Sequence, residues 1–244
     1  MCTLAIALHV DRRWPIVVAA NRDERLGRPA EDWALRAADG AARHIAPLDL
    51  VAGGTWIGLS ASGVFAGLTN FFAGAGFPDP SRRSRGALVV RMLSHPDAAT
   101  ARADAERTDA RTYNPFHLVV ADAREAFLWR YDGRSAELVA LRPGLHVVTE
   151  TDANGRTARG DLVRARWPVH PETAALRELL AQHAPAPRDG TCIHLDPHYG
   201  TRSSAVLRVA TALGASDLHV ATGHPCTAPL VDRSDLLSQL TRPA

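Results

Sequence analysis

The chain has 244 residues, 46% of them hydrophobic and 22% charged, with a formal net charge of +2. That length suits a single domain spanning residues 1–244, and a near-neutral balance without basic runs disfavours nucleic acid or an anionic membrane surface as partner. Every basic residue other than histidine is arginine, which excludes lysine Schiff-base chemistry and a Walker-type phosphate loop.

Three cysteines at unrelated spacings make no disulfide framework. No apolar stretch is long enough to span a bilayer. The opening residues lack a secretion-signal pattern, because Arg12 and Arg13 follow a short, alternating run. A soluble, cytoplasmic protein is expected. Nothing in the residues sets an oligomeric state.

The first element is a strand: Leu4, Ile6, Leu8 and Val10 carry large apolar side chains with a period of two. Asp11–Trp14 suits a four-residue turn, and Pro15–Ala20 restarts a β-rich run that ends at Asn21-Arg22-Asp23-Glu24. An antiparallel hairpin with Val10 facing Pro15 places Cys2 opposite Asp23 and Thr3 opposite Arg22. One bulge would shift that pairing by a residue, so the expectation is proximity.

Residues 25–50, with Pro29, Gly40, Pro47 and little periodicity, read as loop. Gly53-Gly54-Thr55-Trp56-Ile57-Gly58-Leu59-Ser60 and Val64–Asn70 then form a second hairpin around a Ser-Gly turn. Gly53 and Gly54 point to unusual backbone or to close approach by another segment. Phe71–Pro80 is either a pocket mouth or a surface loop. Helices follow at Arg85–Leu93 and Ala98–Ala110. Strands are expected at 116–120, 126–131, 136–141 and 145–148, with an Asp132-Gly133 turn. Further helices are expected at 156–166 and 172–183, and strands at 204–211 and 218–222. Consecutive strands with helices grouped between them indicate α+β with mostly antiparallel sheets.

Cys2 is the candidate nucleophile. Removal of Met1 would leave it with a thiol and a free α-amine, whose ordinary pKa values lie about 8.5 and about 7.7–8. The amine can then take the thiol's proton, and the thiolate attacks. Asp23 can hold the α-ammonium and Arg22 can favour the thiolate. The plain alternatives are a small hydrophobic cysteine and two polar residues capping a strand.

Met1-Cys2, Asn21–Glu24, Gly53–Gly58, Gly67–Asn70, Ser84-Arg85-Gly86, Asn114-Pro115-Phe116 and Tyr199–Ser204 fall in order. Together they resemble the NRDE family, named for the tetrad and related to the transport and Golgi organisation protein 2 homologues. The resemblance implies an N-terminal nucleophile (Ntn) hydrolase-like fold, an αββα four-layer sandwich with two mostly antiparallel sheets. It also implies distant similarity to choloylglycine hydrolases and penicillin V acylases, which cleave linear amides with an N-terminal cysteine. By that resemblance Cys2 matches their nucleophile and Asp23 their N-terminus-binding aspartate. The Asn70 backbone N–H matches an oxyanion donor, and Arg202 their late-chain arginine; Arg22 matches only loosely. Asn70 holding a turn and Arg202 bridging carbonyls are the structural alternatives. Thr149-Glu150 stands where the family has a small-Ser-Asn sequence, and a carboxylate there would repel an oxyanion. Asn154 could substitute only if its loop folded back, and His117 replaces a familiar asparagine.

Two functions follow. One is a hydrolase of a linear amide or ester acting on a small-molecule substrate through Cys2. The other is a non-catalytic Ntn-like scaffold for a hydrophobic small molecule, haem or lipid, an option the resemblance alone suggests. No cofactor and no metal is expected: Cys192, His194 and His198 do not match a zinc spacing, and Pro197 breaks any helix that would align them. Cys226, in a Pro-rich tail, reads as inert.

Overall fold

The computed structural model describes residues 2–37, 42–72 and 78–242. Its main elements are β1 (Cys2–Leu8), β2 (Ile16–Arg25), β3 (Ala30–Arg36), β4 (His44–Asp49), β5 (Ile57–Ser60), β6 (Phe65–Asn70), α1 (Gly86–Leu93) and α2 (Ala98–Arg107). Then come β7 (Phe116–Ala121), β8 (Ala126–Tyr131), β9 (Ala136–Ala140), β10 (Gly144–Thr149), α3 (Ala158–Arg166) and α4 (Thr173–Leu180). The chain closes with β11 (His194–Asp196), β12 (Tyr199–Val209), β13 (Asp217–Thr222), β14 (Val231–Asp232) and α5 (Asp235–Leu240).

These elements form two compact units, one of Met1–Arg28 with Pro143–Asp235, the other of Pro29–Arg142 with Leu236–Ala244. Each holds one antiparallel sheet. In the first unit the order is β10-β1-β2-β12-β13-β14, with β11 paired to β12; in the second it runs β3 to β9 in sequence. The mixed α+β class with antiparallel sheets is as the residue pattern predicts, and their number, two, is what the resemblance implies.

In the first unit, Ala5, Ala7, Val17, Ala19 and Val147 form a small-residue face beneath Val163 of α3 and Leu176, Leu179 and Leu180 of α4. Leu4, Ile6 and Leu8, on the other face of β1, are equally buried. Burial on both faces weakens alternation as a guide to register, and here the expected register is off by one. Leu8, not Val10, begins the pairing, facing Ile16, and Cys2 lies opposite Arg22 with Thr3 opposite Asn21. The turn absorbs the difference. His9 adopts positive φ (53°), and its N–H donates to Pro15 O at 2.8 Å. Trp14 lies between the guanidiniums of Arg13 and Arg208, each 4.2 Å from its ring centroid. Val10 is left half exposed.

In the second unit, residues 25–50 are not mostly loop: β3 and β4 occupy much of that span. Their pairing is irregular, with a register shift between Glu31 and Ala34. Pro47 falls opposite that irregularity, where a missing N–H removes no ladder bond. Local periodicity is therefore poor although the strands are real. The Phe71–Pro80 expectation lies partly outside the described residues. The core of this unit gathers Phe116, Trp129, Tyr131 and Tyr113 with Leu88, Val89, Met92 and Leu93 of α1. Phe116 meets Trp129 edge-on at 5.0 Å. Asp97 caps α2, accepting from Thr100 N–H at 2.7 Å, and Arg91 forks onto Asp104 at 2.6 and 2.7 Å. Among the described residues no helix is long and apolar enough to cross a membrane.

Both expectations for the paired glycines hold. Gly53 and Gly54 have φ of 65° and 79°, and a Cβ on Gly54 would sit 2.5 Å from the Gly86 carbonyl carbon. Gly54→Ala is expected to cost about 2 kcal/mol or more, from backbone strain and overlap together. Gly27→Ala, whose added methyl meets nothing within 4 Å, should stay within about 0.5 kcal/mol. Urea denaturation of both variants measures the contrast.

Candidate active site

The first unit's sheet brings several of the chemistry-bearing residues to one end of β1. Cys2 is its first residue, and directly opposed Arg22 shares its face of the sheet. Asn21 and Asp23, two residues apart, line the other face. β12 runs along the far side of β2, with Thr201 opposite Asp23 and Ser203 opposite Arg22. Arg202 is thus the extra residue of a β-bulge, a feature that re-aims side chains at functional sites. Its Nε donates to Leu26 O at 3.3 Å, and its own carbonyl accepts from Gly223 N–H at 2.7 Å. The side chain thus holds one neighbouring carbonyl, that of Leu26.

Asp23 is buried. Its Oδ1 accepts from Thr201 Oγ1 at 2.6 Å, and its main-chain carbonyl accepts from the Tyr199 hydroxyl at 3.1 Å. Burial pushes its carboxyl up to about 7, against the opposing hydrogen bond from Thr201. Cys2 is also buried, and burial raises its thiol despite the Asp23 backbone N–H and the Arg22 guanidinium, which both favour the thiolate. Burial likewise raises the Tyr199 phenol, with Cys2 and Asp23 next in influence. Arg22 lies 3.6 Å from Glu24.

Asn21 belongs to the scaffold. Its Nδ2 donates to Leu180 O (2.9 Å) and Thr191 O (2.7 Å), while Oδ1 accepts from Ser204 Oγ at 2.6 Å. Every contact is buried, and together they tie β2 to the end of α4 and to the segment leading into β11.

Glu150 follows Thr149, which pairs with Thr3, so it stands at the Cys2 end of β10. Its expected repulsion of an oxyanion is countered by a partner the sequence did not reveal. Arg159, at the start of α3, donates from Nη1 to Glu150 Oε2 at 2.8 Å, with both side chains buried. Arg159 also donates to Arg188 O. Arg159 lies within a polar helix and carries no motif, so no sequence signal marks it. Thr201 does fall in the matched Tyr199–Ser204 segment and could have been singled out there.

The Asn154 loop does fold back, but toward the wrong place for a second oxyanion donor. Asn154 has φ of 65°, accepts from Val147 N–H at 3.0 Å and sets Nδ2 3.1 Å from His146 Nδ1. His146 pairs with Ile6, four residues along the strand from Cys2, or about 13 Å. Asn70 ends β6 in the second unit, paired with Phe116 and exposed. His117 is buried in that unit, its ring 4.6 Å from Phe71.

The family model described as "Transport and Golgi organisation 2" matches residues 1–215. The chain belongs to that family. It is 34% identical over 143 residues to the Transport and Golgi organization protein 2 homolog of Bos taurus, and 30% identical over 141 residues to that of Mus musculus. Each match covers 54% of this chain and 49% of the relative, so the matched region spans about half the length of these curated relatives. Among solved structures, it is similar to a mutant of conjugated bile acid hydrolase from Clostridium perfringens (TM-score 0.57, 8% identity, 96% of this chain and 93% of the other). It is also similar to a Caenorhabditis elegans N-acylethanolamine-hydrolyzing acid amidase ortholog (TM-score 0.57, 14% identity, 85% and 92%). At such identities the likeness establishes the Ntn-hydrolase-like fold.

Two outcomes follow from these electrostatics. Arg159→Met strands the buried Glu150 charge and should cost about 3–5 kcal/mol. Adding Glu150→Gln should recover most of that loss in denaturant titrations at neutral pH. For Asp23, the unfolded carboxyl titrates near 3.8 and the folded one near 7. Between those values the folded state holds a proton that the unfolded chain has released, so this group's contribution to stability falls as pH rises from about 4 to about 7. Asp23→Asn should flatten that part of the stability–pH curve.

Proposed function

We propose that the protein hydrolyses a linear amide or ester, with Cys2 as nucleophile once processing makes it the first residue. The observation that supports this most is the end of β1, where Cys2 faces Arg22 and the buried Asp23 carboxyl lies one residue further on. The fold of Ntn hydrolases agrees with it. In this reading the free α-amine removes the thiol proton, and Cys2 sulfur attacks the carbonyl carbon. The leaving amine or alcohol departs with that proton, leaving a thioester. Water, deprotonated by the same α-amine, then releases the carboxylic acid and regenerates the thiol. Asp23 holds the α-ammonium, and a cation beside it draws the carboxyl back towards ionisation. Arg22 acts on the sulfur's face. Arg159 keeps Glu150 from opposing negative charge at the reacting oxygen, and the Arg202 bulge shapes the rim.

A second reading draws on a different observation. While the thiol remains buried and protonated, Cys2 is a small apolar contact, and the protein is a scaffold for a hydrophobic small molecule such as haem or an acyl chain.

Intact-mass analysis of the purified protein should show Met1 absent. An N-acylethanolamine, a conjugated bile acid and an activated aryl ester are suitable probes, the first two because the structural neighbours are named for them. Turnover of at least one probe, and labelling by iodoacetamide at residue 2, should fall to background in Cys2→Ala while the circular dichroism spectrum is unchanged. Hydrolysis that persists in Cys2→Ala overturns the hydrolase reading. Haemin or fatty-acid binding that persists in the same variant, with no turnover in the parent, supports the scaffold.

A further inference from the structure

By spacing alone Cys192, His194 and His198 make no metal site, and Cys226 stands apart from them in a Pro-rich tail. The fold regroups them. His183, just beyond α4, joins Cys192, His194 and Cys226, and one ligand atom from each lies within 4.8 Å of all the others. The Cys192 sulfur is 3.5 Å from His194 Nε2, which is 3.3 Å from the Cys226 sulfur. Zinc bonds of about 2.3 Å to sulfur and about 2.05 Å to nitrogen, at a tetrahedral angle, separate the two ligand atoms by about 3.6 Å. The observed spacings therefore match donors already gathered around one small cation.

The surroundings orient these groups. His183 Nδ1 donates to Cys192 O at 3.1 Å, which fixes the proton on that nitrogen and leaves Nε2 with the lone pair. Such a hydrogen bond on the far nitrogen is the usual companion of a metal-binding imidazole. The His194 ring lies against His224, centroids 3.8 Å apart, and near His183 at 5.2 Å. The segment bearing Cys192 is held from both sides. Asn21 grips the Thr191 carbonyl, and Ile193 N–H donates to Thr201 Oγ1 at 2.8 Å. His198 is not a member of the group. All three cysteines are free, so neither sulfur is committed to a disulfide.

We propose that His183, Cys192, His194 and Cys226 bind one zinc ion in a structural Cys2His2 site. Mixed thiolate and imidazole donors select zinc over harder cations, and four protein ligands leave no open position for catalysis. The ion would cross-link three segments that are otherwise joined by loops: the end of α4, the lead into β12 and the turn after β13. This assignment does not depend on the chemistry of Cys2.

The test uses the full-length, untagged chain, purified under reducing conditions without chelator. Elemental analysis should find about one zinc per chain. Replacement by cobalt(II) should give a near-ultraviolet sulfur-to-cobalt band with the intense visible bands of tetrahedral coordination. Cys226→Ser and His183→Gln, at partly and well exposed positions, should each weaken zinc binding by more than the roughly 10–100-fold lost with an outer hydrogen-bond partner. Cys226→Ser should also lower the sulfur-to-cobalt intensity. Circular dichroism verifies that each variant is folded. A reduced protein that takes up neither ion, bound zinc indifferent to both variants, or a Cys192–Cys226 disulfide in rapidly alkylated lysate would overturn the site.

Discussion

The buried amide of Asn21 is the constraint on which the rest of the first unit depends. It satisfies Leu180 O, Thr191 O and Ser204 Oγ at once, in a place no water reaches. Replacing it with an apolar residue would strand those partners, each at a cost of about 1–3 kcal/mol. Its effect is more than stabilising. The same three bonds set where α4 stops, where the Cys192 segment lies and how β12 meets β2. With that strand pairing set, Asp23 must face Thr201, while Arg22 meets Cys2 through the separate pairing of β2 with β1. The first letter of the tetrad holds the frame in which the next two stand.

Burial at this end of the sheet opposes charge, and that opposition shapes what the site can do. The Cys2 thiol and the Asp23 carboxyl are both pushed towards their neutral forms by desolvation. The chain's amino-terminal charge already opposes that shift in both groups, because an opposite charge at close range offsets part of the desolvation cost. The same low-dielectric setting that raises the cost of each charge also strengthens the interactions between them.

Much of the architecture was legible because it is written locally. The strands of the second sheet from β5 to β9 show clear β-rich runs with Gly turns, and α1 and α3 show helical patterns near their true bounds. Register was harder to read. β1 is apolar on both faces, so sliding it by one residue exposes nothing that the alternation would forbid. β3 and β4 were missed because a bulge and Pro47 break the period that a reader counts. At the site, Cys2, Arg22 and Asp23 could be found because they are near neighbours across one hairpin. Arg159 could not, since its partner Glu150 is related to it only by the packing of α3.

Glu150 and Arg159 also bear on how far function can be carried across this fold. Fold likeness at 8% or 14% identity says little about which groups surround the reacting atom. A carboxylate at the Cys2 end of β10 looks disabling when the residue is read alone. Paired with a buried guanidinium that also bonds the Arg188 carbonyl, it becomes one half of a neutral unit. Such a pair is costly to bury and gives little net stability over a well-packed apolar pair. It does fix the direction of two dipolar side chains beside β1. The identity of single residues is thus a poorer guide to the chemistry available here than the summed charge around the sulfur.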